Sequence, residues 1–280
     1  MLNLLIIEGN VREVREKTVA SGQIVQSALY KKAVLFLRPD AHCNIVNPAD
    51  EDADLPSVEA LEEYDGIIWT GSSLNIYEND LAISRQVEFM KRCFEGKIKI
   101  FGSCWGLQVA VVAAGGEVEK NTKGREIGIA RNIQTTEIGR CHPLYNGKLS
   151  PFDAVAIHLD HVKRLPEGAI ILSGNEMSSV QAIELKRGPS VFWGVQYHPE
   201  FDLTYIASLI QKYKGMIVDE GICPDEAAVD QLSSDFRIVR NDDNHEEIKC
   251  KHNMGADVLD PCCRLQEINN WLDFVEQTSN

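Results

Sequence analysis

The stretch Lys99-Ile100-Phe101-Gly102-Ser103-Cys104-Trp105-Gly106-Leu107-Gln108 sets one cysteine between two glycines, where a strand pattern turns into a helix pattern. Residues 97–101 alternate Lys with apolar side chains and end at Phe101, and residues 107–114 are helix formers that stop at Gly115-Gly116. A nucleophile on so sharp a bend needs glycine beside it, because flanking side chains would crowd the turn. The bend also aims the first N–H groups of the helix at the sulfur, which favours thiolate and any oxyanion formed next to it. A second signal is Tyr197-His198-Pro199-Glu200-Phe201, which follows the apolar run Val191-Phe192-Trp193-Gly194-Val195. It puts a base and an orienting carboxylate at the end of another strand.

Outward from these two turns the chain alternates strand and helix. Leu4–Ile7 and Gly66-Ile67-Ile68-Trp69-Thr70 are continuous apolar runs, as expected of strands buried on both faces, and Asn44–Val46 fits a further strand. Residues 24–37 suit a helix. Ile83, Val87, Met90 and Phe94 recur at helical spacing. Such alternation predicts a parallel sheet with helices on both faces and a site at the carboxyl ends of its strands, where Gly71-Ser72, Cys104 and His198 all fall. From about 127 to 195 the pattern changes to closely spaced strands with few helix signals, which predicts some antiparallel pairing. A helix from about 202 to 213, with Leu203, Ile206, Ile210 and Tyr213 on one face, closes this part of the chain.

Composition narrows the classes. The 280 residues are 44% hydrophobic and 25% charged, ordinary for a globular protein large enough to bury a full core. A formal charge of −14 argues against nucleic acid and against anionic membranes as partners. The acidity is uneven: residues 216–280 hold fifteen Asp/Glu against five Lys/Arg. The N-terminal apolar run is too short for a signal peptide and no run approaches a membrane span. Eight cysteines without framework spacing read as reduced thiols, and the expected compartment is cytoplasmic. His245, Cys250, His252, Cys262 and Cys263 do not have the spacing of a zinc finger, so no metal is expected.

With Trp69-Thr70-Gly71-Ser72-Ser73, Glu126-Ile127-Gly128 and His158-Leu159-Asp160-His161-Val162 in order between the two turns, residues 3 to about 214 resemble the class I glutamine amidotransferases. The likeness is to the glutaminase domain of GMP synthase type, in a stand-alone form. It implies a three-layer, doubly wound α/β sheet of the flavodoxin-like kind over residues 1–215. Residues 216–280 are expected to be an acidic helical extension, because Val229, Leu232, Phe236 and Val239, then Leu265, Ile268, Leu272 and Val275, form apolar stripes that must bury against something.

The resemblance also implies a chemistry. Cys104, His198 and Glu200 would form a triad that hydrolyses a γ-glutamyl amide bond, in glutamine or another γ-glutamyl compound, through a γ-glutamyl thioester. Backbone N–H groups of Ser72 and Trp105 would hold the oxyanion. Gly71, Gln108, His158 and Asp160 would meet the substrate, with Asp160 facing its α-ammonium. No cofactor is implied. The chain departs from the family where Gly71-Ser72-Ser73 replaces Gly-Gly-Pro, where Leu107 replaces a frequent His, and at the bulky Trp105. Read from the residues alone, Glu126 either lines the pocket or makes a surface hydrogen bond, and His158 is either structural or a substrate contact. Residues 216–280 lack a phosphate-binding glycine loop, so no synthase domain is expected. Two alternatives remain: a glutaminase subunit that feeds ammonia to a separate synthase, and a non-catalytic binding or regulatory protein on the same fold.

Overall fold

The computed structural model describes residues 1–242 and 244–278. Its strands are β1 (Asn3–Ile7), β2 (His42–Val46), β3 (Gly66–Trp69), β4 (Lys99–Ser103), β5 (Glu117–Lys120), β6 (Glu126–Thr135), β7 (Phe152–His158), β8 (Asp160–Arg164), β9 (Ala169–Gly174), β10 (Ala182–Arg187) and β11 (Ser190–Val195). The main sheet runs β2-β1-β3-β4-β11-β10-β9-β6-β7. The first five of these are parallel neighbours and the rest pair antiparallel. The predicted change of pattern after residue 126 is therefore a change of strand direction, at the β11–β10 boundary.

Alternation along the parallel strands sorts two cores. Leu4, Ile6, Ile68, Phe101 and Trp193 face one side, under the helices Gln26–Leu37 and Gln266–Thr278. Leu5, Ile7, Ile67, Trp69, Ile100 and Phe192 face the other, under the helices Leu81–Glu95 and Trp105–Ala113. A third cluster joins the helices Leu203–Lys212 and Glu226–Asn241 to Val155 of β7, with Ile127, Ile129 and Ile157 packed against it. The sheet is thus sandwiched between helical layers, the doubly wound arrangement expected.

The C-terminal stripes are buried. Val229, Phe236 and Val239 lie in the third cluster, and Leu265, Ile268, Leu272 and Val275 lie in the first. Trp271 fits where Gly66 leaves room: a Cβ built on Gly66 would stand 2.8 Å from the indole. The Asp260 carboxylate accepts the Cys262 N–H at 2.8 Å and Pro261 opens the following turn, an N-cap pair. Leu265 falls between that turn and the final helix. Asp243 lies outside the described residues.

Two features had no clear sequence signal. The helix Arg12–Ala20 buries none of its residues, so its pattern carries no apolar stripe. β5 and β8 form a separate antiparallel pair whose residues are largely charged. Among the described residues no helix is long and apolar enough to cross a membrane.

Candidate active site

Cys104 sits between β4 and the helix Trp105–Ala113 with φ 49° and ψ −99°, in the left-handed region that a side chain rarely adopts. Its N–H donates to the Val195 carbonyl at 2.8 Å, which ties the bend to the end of β11. Glycine is required on both sides of it. A Cβ on Gly106 would meet the Trp69 carbonyl oxygen at 2.6 Å, and one on Gly102 would meet the Gly106 carbonyl carbon at 2.9 Å. The thiol is 6% exposed and its sulfur lies 3.7 Å from the Ile157 carbonyl oxygen.

β11 runs beside β4, so the segment after it delivers His198 to the same place. His198 Nδ1 and Glu200 Oε1 are 2.7 Å apart, both groups buried. The Ser103 hydroxyl donates to the same carboxylate oxygen at 3.1 Å. Phe201 stacks on the imidazole with ring centroids 4.0 Å apart and planes within 4°, which fixes its tilt. Burial alone would lower the imidazole pKa. The Glu200 charge outweighs it, and with Cys104 in hydrogen-bond reach the value is raised from 6.5 to about 10. The Glu200 carboxylate thus favours the charged form of the ring.

The Gly71-Ser72-Ser73 loop is held from the end of β1. The Asn10 carboxamide oxygen accepts the Ser73 N–H at 3.0 Å, and Glu8 accepts both the Asn10 backbone N–H (3.2 Å) and its side-chain amide (3.1 Å). The other Glu8 oxygen accepts the Ser27 N–H at 2.8 Å. The bulk of Trp105 is accommodated because Gln86 accepts its indole N–H at 2.8 Å while donating to the Gly9 carbonyl at 3.1 Å. Glu8, Asn10 and Gln86 were not singled out in the sequence. Their one signal was the polar Glu8-Gly9-Asn10 turn at the end of an apolar strand.

The antiparallel half contributes a polar network. Glu126 is buried and bonds His158 Nε2 (2.8 Å), Asn175 (2.7 Å) and Gln181 (2.7 Å). Burial pushes its carboxyl up, but these partners outweigh that and hold it below the usual range. Glu126 thus neither lines the cleft nor makes a surface bond: β6 pairs it with His158 across β7, which turns it into the interior. His158 is a satisfied histidine, its Nδ1 within 3.1 Å of the Asp160 carbonyl oxygen. The Asp160 carboxylate accepts from the Tyr77 hydroxyl at 3.1 Å, and burial raises its pKa. His161 is half-buried. Beside these, Arg125 pairs with Glu220 at 3.0 Å, so a residue from the C-terminal region steadies the cleft rim.

These groups converge on a cleft of about 270 Å³. Ser72, Cys104, Gln108, His158, Asp160 and His198 line it together. A family model, glutamine amidotransferase class-I, matches residues 31–213. The chain belongs to that family. It is an enzyme of the hydrolytic, amidotransferase-like kind. A γ-glutamyl-L-1-hydroxyisopropylamide hydrolase from a Pseudomonas species is 33% identical over 279 residues, 98% of this chain and 93% of that one. The glutamine-hydrolysing GMP synthase subunit of Methanocaldococcus jannaschii is 30% identical over 162 residues, 56% of this chain and 76% of its own. A solved glutamine amidotransferase from Thermotoga maritima covers 99% of both chains with a TM-score of 0.62 at 16% identity, a likeness of fold.

Proposed function

We propose that this amidotransferase-family enzyme hydrolyses the γ-glutamyl amide of a small amine through a thioester on Cys104. The observation that carries the reading is the His198–Glu200 pair, 2.7 Å apart, set against a cysteine at positive φ on a strand–helix bend. Cys104 attacks the γ-carbonyl as thiolate, its proton passing to His198. The backbone N–H groups of Trp105 and Ser72 take the oxyanion. As the C–N bond breaks, His198 gives its proton to the departing nitrogen. Water then attacks the thioester, His198 takes a proton from it, and glutamate and free thiolate result. Glu200 orients the ring and stabilises its charge without itself accepting the proton.

On the substrate's amino-acid side, Asp160 meets the α-ammonium, which would restore the charge that burial disfavours. Gln108 completes that wall. Both ring nitrogens of His158 are engaged, so its part is to hold Asp160 and to offer ring carbons to the ligand. Residues 1–215 serve as the catalytic unit and 216–280 as an appended element. A hydrolase of a γ-glutamyl amide that aligns along nearly the whole chain favours this reading over an ammonia-supplying subunit, since the GMP synthase subunit matches little more than half of it.

The test is to assay glutamate release by the purified protein from glutamine and from γ-glutamyl alkylamides, with hydroxylamine present to trap the acyl-enzyme as γ-glutamyl hydroxamate. Alkylamide turnover with hydroxamate formation is expected. Turnover of glutamine alone, stimulated by an added synthase, would favour the ammonia-supplying alternative.

A further inference from the structure

Two opposite charges line the cleft without pairing with each other. Asp160 and Arg125 both belong to its wall, yet no ion pair joins them among the described residues. Each is held by a third group instead. The Asp160 carboxylate accepts from the Tyr77 hydroxyl at 3.1 Å. Arg125 donates from Nε and Nη2 to the two oxygens of Glu220, at 3.0 and 3.2 Å, and its Nη2 also lies 3.2 Å from the Met216 sulfur. Met216 belongs to the helix Lys214–Asp219, and Glu220 follows its last turn. A guanidinium carries donors on all three nitrogens. Nη1 is left without a hydrogen-bond partner among the described residues, although the side chain is only 14% exposed.

The strand register explains why the two charges are neighbours. Glu126 stands opposite His158 in the β6–β7 pair, so the residue before it falls beside the turn that carries Leu159 and Asp160. Side chains alternate along a strand, and the inward turn of Glu126 sends Arg125 to the other side, where the cleft is. Lys212, the other Lys or Arg on the lining, is exposed and stands over the Tyr213 ring, 5.3 Å from its centroid.

A γ-glutamyl compound supplies what this pair lacks. One carbon of it bears both an ammonium and a carboxylate, so its site needs an anion and a cation side by side that do not already neutralise each other. We propose that Arg125 determines specificity by receiving the substrate's α-carboxylate through Nη1, opposite Asp160, and that Glu220 is the positioning residue that aims it. The inference rests on the γ-glutamyl amide reading above. Two-point attachment to Glu220 fixes the plane of the guanidinium, so the carboxylate meets a donor that is already oriented. The chain beyond the catalytic unit thereby takes part in recognition without touching the reacting atoms.

The experiment measures kcat and KM for glutamine, for γ-glutamyl-propylamide, and for the counterpart of each with an α-carboxamide in place of the α-carboxylate. The proteins are wild type, Arg125→Met, Arg125→Lys and Glu220→Gln. Wild type should favour each carboxylate over its carboxamide by about tenfold or more in kcat/KM, as a hydrogen bond between charged partners requires. Arg125→Met should bring that ratio near one, and Arg125→Lys, which keeps the charge, should retain part of it. Glu220→Gln should raise KM for the carboxylate substrates several-fold with kcat little changed. A loss that falls equally on carboxylate and carboxamide would make Glu220 merely structural and overturn its part. No preference in wild type, or an undiminished one in a folded Arg125→Met, overturns the role of Arg125. Should Arg125→Met not fold, an undiminished ratio in Arg125→Lys and Glu220→Gln does the same. Wild type that discriminates on glutamine but cleaves no alkylamide removes the alkylamide reading and keeps Arg125; turnover of both without discrimination removes Arg125 alone. If no γ-glutamyl compound is cleaved, both fall.

Discussion

The parallel half of the sheet, β2-β1-β3-β4-β11, reaches the cleft through its strand ends, whereas the antiparallel half, β10-β9-β6-β7, reaches it through side chains bonded to one another. At the strand ends the backbone is the working part: Cys104 at φ 49°, Gly71 against His198, and the N–H groups beside them. In the antiparallel half the working part is the set Glu126, His158, Asn175 and Gln181, which are bonded to one another chiefly through the Glu126 carboxylate. A substitution in the first kind of site removes a step, because no neighbour offers the same conformation. One in the second shifts an equilibrium, because the rest of the network remains.

The sharpest separation is expected at Cys104. Cys104→Ala should lower turnover about 10⁴-fold or more. Cys104→Gly should be equally inactive yet more resistant to urea than Cys104→Ala, since glycine adopts φ 49° without strain. Urea midpoints of the two variants check this, and equal midpoints would remove the strain from the comparison.

His198 and Glu200 come next. His198→Ala should be nearly as inactive as Cys104→Ala, Glu200→Gln should be milder, and the double variant hardly worse than His198→Ala. Wild-type kcat/KM should fall only as pH rises toward about 10, where the imidazolium is lost, and Glu200→Gln should move that limb to lower pH. Stability carries the same sign. A pKa raised from 6.5 to about 10 contributes stability that is full below 6.5 and lost as pH rises through 10. The urea midpoint advantage of wild type over Glu200→Gln should therefore shrink across that window.

Trp271→Ala tests whether the parallel half depends on the final helix. The indole is fully buried against Gly66 and 5.9 Å (ring centroids) from Phe101, so its loss should cost about 3–5 kcal/mol by urea unfolding. A cost under 1 kcal/mol would show that half to be self-sufficient. The mildest effect is expected from Glu126→Gln, a rise of about tenfold in KM with kcat little changed, read from initial rates. Because the Glu126 pKa is lowered, its contribution to stability is present above the ordinary value of 4.5 and lost as pH falls through the folded one. The variant should thus differ from wild type most at neutral pH.

The same division explains what the sequence made legible. Cys104, His198 and Glu200 could be brought together on paper because each ends an apolar strand and each has a glycine or a turn beside it. The antiparallel strands were legible as strands, but not the inward turn of Glu126, since one residue of register decides which side it faces. Glu8, Asn10 and Gln86 were less legible for another reason. Their side chains bond segments as many as seventy-seven positions away, and no local pattern records such a partner. The helix Arg12–Ala20 has no buried face to leave a period in the sequence.

The final helix has a consequence for the order in which the chain is made. Leu4, Ile68 and Phe101 are synthesised early, yet Trp271, Leu272 and Val275, which share their core, follow Phe101 by 170 residues or more. Until then that side of the sheet is an open apolar surface, attractive to chaperones and to other nascent chains. Completion of that core therefore waits until residue 275 has been made, and a message truncated before residue 271 would yield a chain that holds Cys104, His198 and Glu200 but lacks one wall of the core under the sheet.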